Sequence, residues 1–136
     1  MTAAPRHVLV ADDEPHIGRI IKMKLEQGPF HVSLAFDGRE AMDALHRQDD
    51  IALVLLDVMM PHLSGLDVLQ FMRASDRWRD TPCIVLTAAG QEAQHTRAMA
   101  LGATDFMTKP FSPKKLYQRS AELVGVDPAT RRETDA

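Results

Sequence analysis

Ile51-Ala-Leu-Val-Leu-Leu-Asp57 carries the clearest indication of how this chain folds. Its first six residues are apolar without interruption, and a carboxylate ends the run. Continuous rather than alternating apolarity is typical of a strand buried on both faces, as in a parallel sheet that helices cover on each side. The run is also far shorter than the roughly 20 residues that a membrane-spanning helix needs. We therefore interpret it as a central strand of a parallel sheet.

Two similar apolar runs precede this strand and two follow it, and segments with helical periodicity separate the runs. The runs cover residues 7–11, 32–36, 83–87 and 103–107. The periodic segments lie at 17–25, 41–45, 66–72, 98–101 and 116–124. Gly28-Pro29, Asp37-Gly38 and Ser112-Pro113 stand at the boundaries, where helix ends, turns and caps are expected. The pattern predicts an α/β fold, a doubly wound five-stranded parallel sheet with five helices.

The composition is that of one ordinary folded domain. Hydrophobic residues make up 45% of the chain and charged residues 26%, which argues against a mainly disordered protein. The one cysteine, Cys83, excludes an internal disulfide and fits a reducing compartment, so we expect a cytoplasmic protein. We expect a single domain over residues 6–125 and a polar, disordered tail over residues 126–136.

The charge balance bears on the kind of partner. The formal net charge is −3. Binding to nucleic acid needs a basic face that neutralises phosphates, so nucleic acid is not expected as the main partner of this chain. No apolar segment is long enough for a bilayer, and no membrane contact is expected.

Charged and hydroxyl side chains gather where the apolar runs end. They are Asp12, Asp13 and Glu14 after the first run, Asp57 after the third, Thr87 in the fourth, and Lys109 after the fifth. The carboxyl ends of parallel strands share one edge of the sheet, and ligands of such sheets bind there. Crowded carboxylates disfavour one another's ionisation unless a cation compensates, and Mg²⁺ suits oxygen ligands of this kind. With Lys109 supplying a further positive charge, the set predicts a phosphoryl-transfer site in which Asp57 is the nucleophile.

Four motifs, in this order and spacing, resemble the signatures of response-regulator receiver domains of two-component signalling systems. They are Val8-Leu-Val-Ala-Asp-Asp-Glu-Pro15, Val54-Leu-Leu-Asp-Val-Met-Met-Pro61 with Gly65, Val85-Leu-Thr-Ala-Ala89, and Phe106-Met-Thr-Lys-Pro-Phe111. The resemblance covers roughly residues 6–125. It implies a flavodoxin-like topology with strand order 2-1-3-4-5, as in the chemotaxis member of the family.

The resemblance also implies a role for each matching residue of the acidic site. Asp57 is similar to the phosphoacceptor of the family, and Lys109 to the lysine that pairs with the phosphoryl oxygens. Mg²⁺ is expected to bind Asp13, Asp57 and the backbone carbonyl of Met59 directly, and Asp12 through water. The bond between Lys109 and the next residue is cis in the family.

A conformational switch is implied as well. Thr87 resembles the hydroxyl that moves toward the phosphate, and Phe106 resembles the aromatic residue that turns inward behind it. The change is expected to bias a partner-binding surface on the fourth helix, the fifth strand and the fifth helix. The six histidines have no metal-ligand spacing, so we interpret them as structural or solvent-exposed: His7, His16, His31, His46, His62 and His95.

The predicted function is that of a stand-alone response regulator. A sensor histidine kinase or a phosphotransfer protein is the expected phosphoryl donor, and the domain then signals through its partner surface or relays the group in a phosphorelay. We expect no enzyme activity beyond its own phosphorylation and a slow self-dephosphorylation, because Met59 and Ala89 beside the acceptor cannot orient an attacking water.

Other interpretations differ in what they leave unexplained. A phosphorylation-independent interaction module gives the acidic cluster, Thr87 and Lys109 no role. An aspartyl phosphohydrolase requires a second Asp two residues after the nucleophile, and this chain has Met59 at that position. A flavin-binding domain needs a phosphate-cradling loop after the first strand, and Asp12, Asp13 and Glu14 repel phosphate there. The chain can also be read as part of a longer protein in which residues 131–136 begin a linker.

Overall fold

The structure is a computed structural model that describes residues 2–132. Strands and helices alternate along it. The strands are β1 (Thr2–Ala3), β2 (Arg6–Ala11), β3 (Phe30–Ala35), β4 (Ile51–Asp57), β5 (Cys83–Ala88), β6 (Asp105–Lys109) and β7 (Arg131–Arg132). The helices are α1 (Pro15–Leu25), α2 (Gly38–Arg47), α3 (Gly65–Ala74), α4 (Glu92–Ala100) and α5 (Pro113–Val124). Within residues 2–132, none of the helices combines the length and the apolarity that crossing a bilayer requires.

Five of the strands form the central sheet, in the order β3-β2-β4-β5-β6, and every neighbouring pair is parallel. Counted within this sheet alone, the order is 2-1-3-4-5. The predicted fold class, strand number and strand order are therefore confirmed. The topology places β2 and β4 side by side, and with them the residues that follow their carboxyl ends.

The continuous apolarity of β4 follows from burial on both faces of the sheet. Leu53 and Leu55 belong to the core formed with α1 and α5, whereas Val54 and Leu56 belong to the core on the opposite face with α2 and α3. All four side chains are fully shielded from solvent. Each such burial stabilises the fold by about 1.5–3 kcal/mol relative to an exposed side chain. This strand therefore fixes Asp57 at the centre of the sheet edge.

The last strand of the central sheet begins later than the sequence pattern indicated. The apolar run was expected at 103–107, but β6 covers Asp105–Lys109. Gly102 has a positive φ of 103°, and the amide of Ala103 donates to the carbonyl of Ala98, so α4 and its closing turn extend through these residues. The shift carries the strand up to Lys109 itself.

Residues 126–132 differ from the expected disordered tail. Val126 packs against the core on the α1 and α5 face, and the Tyr117 hydroxyl donates to the carbonyl of Pro128 at 2.7 Å. Strand β7 then pairs in parallel with β1. The mostly polar composition of the segment hid these contacts, which rest on one apolar side chain and on backbone groups. Residues 133–136 of the predicted tail lie outside the described residues.

Candidate functional site

The acidic residues predicted at the strand ends lie together in the structure. Asp57 is the last residue of β4, and Asp12 follows its neighbour β2 directly. Carboxylate oxygens of Asp12, Asp13, Glu14 and Asp57 all lie within 4.8 Å of one another. Asp12 and Asp57 are buried, while Asp13 and Glu14 are exposed. The carboxyl edge of the sheet thus holds a cluster of four carboxylates.

Lys109 reaches into this cluster from the end of β6. Its Nζ lies 2.8 Å from Oδ2 of Asp12, 3.1 Å from Oδ2 of Asp57 and 3.2 Å from Oε1 of Glu14. Burial alone would lower the pKa of Lys109, but its close ion pair with Asp12 and the charge of Asp57 raise that pKa above its ordinary value. Lys109 is therefore a permanent cation at neutral pH. One ammonium group cannot neutralise four carboxylates.

The balance of charges leaves Asp57 hard to ionise. Burial and then the charge of Asp12 raise the pKa of Asp57 to about 6, against the opposing effects of Lys109 and of the Met59 amide. That amide donates to Oδ1 of Asp57 at 3.2 Å. The repulsion that remains is the condition under which a hard divalent cation binds.

Gly65 allows α3 to begin directly against the backbone of Asp57. A Cβ atom at position 65 would overlap the backbone carbonyl of Asp57, and the amide of Gly65 donates to the carbonyl of Val58 at 3.1 Å. The helix is capped by the preceding Ser64, whose hydroxyl accepts from the amide of Asp67. Gly65 is therefore required by the close approach of helix and strand, which explains its place in the motif.

A cavity of about 270 Å³ opens at the cluster. It is lined by Asp13, Glu14, Asp57, Met59, Ala88 and Lys109. The lining combines carboxylates that suit Mg²⁺ with an ammonium that suits an anion. Oδ2 of buried Asp12 is held by the charge of Lys109 but accepts no well-directed hydrogen bond. The residues present therefore fit a divalent cation with an anion beside it.

The predicted switch residues lie next to the site, and they contact a residue that the sequence interpretation missed. Thr87 is buried at the end of β5, and its Oγ1 lies 2.5 Å from Nε2 of His95. The His95 ring also stacks on Phe106, with 4.3 Å between ring centroids and 23° between planes. The interpretation of His95 as merely structural or solvent-exposed overlooked this contact. No spacing in the sequence indicates this contact, because it depends on how α4 packs against the ends of β5 and β6.

Phe106 is half-buried and faces α4 in this structure. Together with Glu92, His95, Thr96 and Met99 it lines a groove of about 420 Å³ on the surface of the domain. The bond between Lys109 and Pro110 is cis, as the resemblance implied. The seven predicted site residues thus fall into two adjoining groups. Asp13, Asp57, Met59 and Lys109 line the cavity, with Asp12 buried against Lys109. Thr87 and Phe106 form the second group, in contact with His95.

A doubly wound parallel sheet with an acidic pocket, a buried aspartate and a lysine at its carboxyl edge is the arrangement of a CheY-like receiver domain. The family model of the response regulator receiver domain matches residues 8–121 of this chain. The chain belongs to that family, the receiver domains of two-component response regulators. Members accept a phosphoryl group, interact with histidine kinases or phosphotransfer proteins, and bind Mg²⁺ in the acidic pocket.

Curated relatives are transcriptional regulators. The chain is 40% identical over 112 residues to the transcriptional regulatory protein CpxR of Escherichia coli K12, covering 82% of this chain and 46% of that protein. It is 39% identical over 113 residues to the uncharacterized transcriptional regulatory protein YkoG of Bacillus subtilis, covering 83% and 48%. The chain therefore spans about half the length of the curated relatives that it matches.

Solved structures agree in fold. The Francisella response regulator 1452 receiver domain has a TM-score of 0.81 and 33% identity, covering 88% of this chain and 97% of that one. The receiver domain of the sensor histidine kinase PA1611 from Pseudomonas aeruginosa has a TM-score of 0.81 and 27% identity, covering 90% and 99%. That structure has a magnesium ion coordinated in the active site cleft.

Proposed function

We propose that this receiver domain takes a phosphoryl group from a phosphohistidine of a histidine kinase or phosphotransfer protein onto Asp57. The observation that carries the proposal is the position of Asp57, which is buried beside Asp12 and Lys109 and lines the cavity. A carboxylate oxygen of Asp57 attacks phosphorus, the P–N bond breaks, and its electron pair returns to the imidazole of the donor. The product is an aspartyl phosphate.

Lys109 and a divalent cation provide the positive charge that this transfer needs. Asp13, Asp57 and the backbone carbonyl of Met59 are the proposed direct ligands of Mg²⁺, with Asp12 acting through water. Bound there, Mg²⁺ supplies charge neutralisation for the oxygens of the transferring group. Lys109 pairs with a phosphoryl oxygen from the other side, and its contacts to Asp12 and Asp57 hold it ready for this role.

The signal leaves the site through Thr87 and Phe106. We propose that the Thr87 hydroxyl donates to a phosphoryl oxygen and that Phe106 turns inward, which changes the surface formed by α4, β6 and α5. A protein partner that binds the two forms of this surface with different affinity then reads the phosphorylation state. Onward transfer of the phosphoryl group is the other outcome open to an aspartyl phosphate. The domain is an acceptor rather than an enzyme with turnover, since Met59 offers the cavity no group that orients water.

The proposal is tested with a small phosphodonor such as acetyl phosphate, Mg²⁺ and intact-mass analysis. We expect wild type to gain the mass of one phosphoryl group and Asp57→Asn to gain none. Asp76→Asn, a change at a fully exposed carboxylate, is the matched control and should be modified like wild type. A folded wild-type protein that stays unmodified with donor and Mg²⁺ present contradicts the proposal and leaves a phosphorylation-independent interaction module.

A further inference from the structure

His95 joins the two switch residues into one unit. Its imidazole contacts Thr87 through Nε2 and Phe106 through the face of the ring. The three residues come from different elements, β5, α4 and β6, so the contacts depend on the packing of α4 against the end of the sheet. Neither contact belongs to the acidic cavity or to its candidate metal ligands.

The contact with Thr87 opposes the movement that the proposed switch requires. Thr87 is buried, and a buried hydroxyl is normally satisfied by a hydrogen bond, which here is made with Nε2 of His95. Movement of the hydroxyl toward a phosphoryl group on Asp57 lengthens this 2.5 Å contact and breaks it. The hydrogen bond between Thr87 and His95 therefore stabilises only the unphosphorylated arrangement.

The contact with Phe106 acts in the same direction. The stacked pair holds the Phe106 ring against α4, beside the open groove that Met99 and Glu92 also line. Inward rotation of Phe106 breaks the stacking with His95. Because stacked aromatic rings attract each other, this loss shifts the equilibrium between the two positions of Phe106 measurably toward the outward one. Both contacts of one imidazole are therefore lost together on activation.

We infer that His95 is a positioning residue that holds Thr87 and Phe106 in the unphosphorylated arrangement and so sets how readily phosphorylation activates the domain. The inference rests on the proposed function, because it assumes that Asp57 receives the phosphoryl group. A side chain that stabilises the inactive state reduces the fraction of binding-competent molecules, and the apparent affinity for a phosphoryl group falls by the same factor.

Beryllofluoride with Mg²⁺, a mimic of the phosphoryl group on a carboxylate, provides the test, with affinity measured by ¹⁹F NMR. We expect His95→Ala to bind it about tenfold more tightly than wild type, since one hydrogen bond and one stacking contact are removed from the inactive state. His95→Gln keeps a donor and acceptor for Thr87, and His95→Phe keeps the ring for Phe106. Each should therefore restore part of the wild-type affinity.

His46→Ala is the matched control. His46 also packs its ring on a phenylalanine, Phe71, with 5.3 Å between centroids, but it lies on α2 away from the switch. Its replacement should leave the beryllofluoride affinity unchanged. In wild type, the imidazole ¹⁵N signals of His95 should shift when beryllofluoride binds, while those of His46 should not.

The outcomes separate the two claims. Failure of folded wild type to bind beryllofluoride overturns the proposed function itself. If wild type binds beryllofluoride and His95→Ala binds it equally well or more weakly, only the role of His95 is overturned. The same holds if neither His95→Gln nor His95→Phe restores any of the difference in affinity between His95→Ala and wild type. Thermal unfolding of each variant confirms that the comparison is made between folded proteins.

Discussion

The ammonium of Lys109 lies 3.1 Å from Oδ2 of Asp57, although 52 positions separate the two residues in the chain. The parallel sheet brings them together, because β4 and β6 end at the same edge with β5 between them. In the absence of metal, Lys109 offsets part of the repulsion between the buried carboxylates of Asp12 and Asp57. Any further positive charge near Asp57 favours the ionised form of its carboxyl group, whose pKa is raised.

Removing Lys109 should destabilise the metal-free protein. Lys109→Ala leaves buried Asp12 and Asp57 without their cation, and we expect a loss of about 3 kcal/mol in the free energy of unfolding near neutral pH. Urea unfolding with and without Mg²⁺ measures it, and Mg²⁺ should recover part of the loss. Lys115→Ala, on an exposed face of α5, is the control. Equal stability of Lys109→Ala and wild type without metal contradicts the assignment.

The stability of the metal-free protein should fall as pH rises from about 4 to about 6. The pKa of Asp57 is raised from 3.8 to about 6 in the folded protein, first by burial and then by Asp12. Between these values the native state binds more protons than the unfolded state, so stability decreases with rising pH.

The variant Asp57→Asn should lack this part of the pH dependence and should be more stable than wild type at pH 7 by up to about 3 kcal/mol. Urea midpoints measured across the pH range provide the comparison. Parallel curves for the two proteins would show that Asp57 is not the titrating group.

Mg²⁺ should stabilise the fold through the acidic cluster. A ligand that binds only the native state, at a concentration one hundred times its dissociation constant, adds about 2.7 kcal/mol to the free energy of unfolding. We expect this gain in wild type, its loss on chelation, and a much smaller gain in Asp13→Asn. Asp43→Asn, a change on α2 outside the cluster, should respond to Mg²⁺ like wild type. A full response in Asp13→Asn would remove Asp13 from the ligand set.

The phosphorylated domain should lose its phosphoryl group slowly, and a polar residue at position 59 should shorten the lifetime. Met59 lines the cavity and is 62% exposed, so Met59→Asn fits without repacking and offers water a hydrogen-bonding group. Intact-mass analysis after removal of the donor gives the half-life. Met23→Asn changes an exposed methionine on α1 and should leave the lifetime as it is. An unchanged lifetime in Met59→Asn counts against the role of this position.

Two helix glycines should respond in opposite ways to alanine. In Gly65→Ala the new Cβ meets the rigid backbone of Asp57, so we expect lower stability and impaired phosphorylation together. In Gly18→Ala the nearest atom is a flexible side-chain carbon of Leu34 at 3.3 Å, and alanine favours a helix over glycine by about 1 kcal/mol. Thermal unfolding measures the stability of each variant against wild type. A neutral Gly65→Ala would contradict the close approach of α3 to the acceptor strand.

Much of the site followed from the sequence because it is tied to the sheet. Residues 51–56 are apolar on both faces of the sheet because helices cover both sides, so the strand and the Asp57 that ends it are visible in a single run. The acidic pair and Lys109 likewise stand at strand ends, which a parallel sheet gathers at one edge.

What the sequence could not indicate depends on packing between elements. Contact between His95 and the switch pair requires the position of α4 relative to β5 and β6, and no spacing along the chain encodes it. The anchoring of residues 126–132 rests on the packing of Val126, on the backbone carbonyl of Pro128 and on the pairing of β7 with β1. A polar segment with these contacts has the same composition as a disordered one.

The most direct measurement locates the phosphoryl group in the chain. After incubation with acetyl phosphate and Mg²⁺, borohydride reduces an aspartyl phosphate to homoserine, which peptide mass mapping can assign. We predict homoserine in place of Asp57, dependent on Mg²⁺ and absent when the donor is omitted. Homoserine at another aspartate, or none in folded and metal-loaded protein, would contradict it.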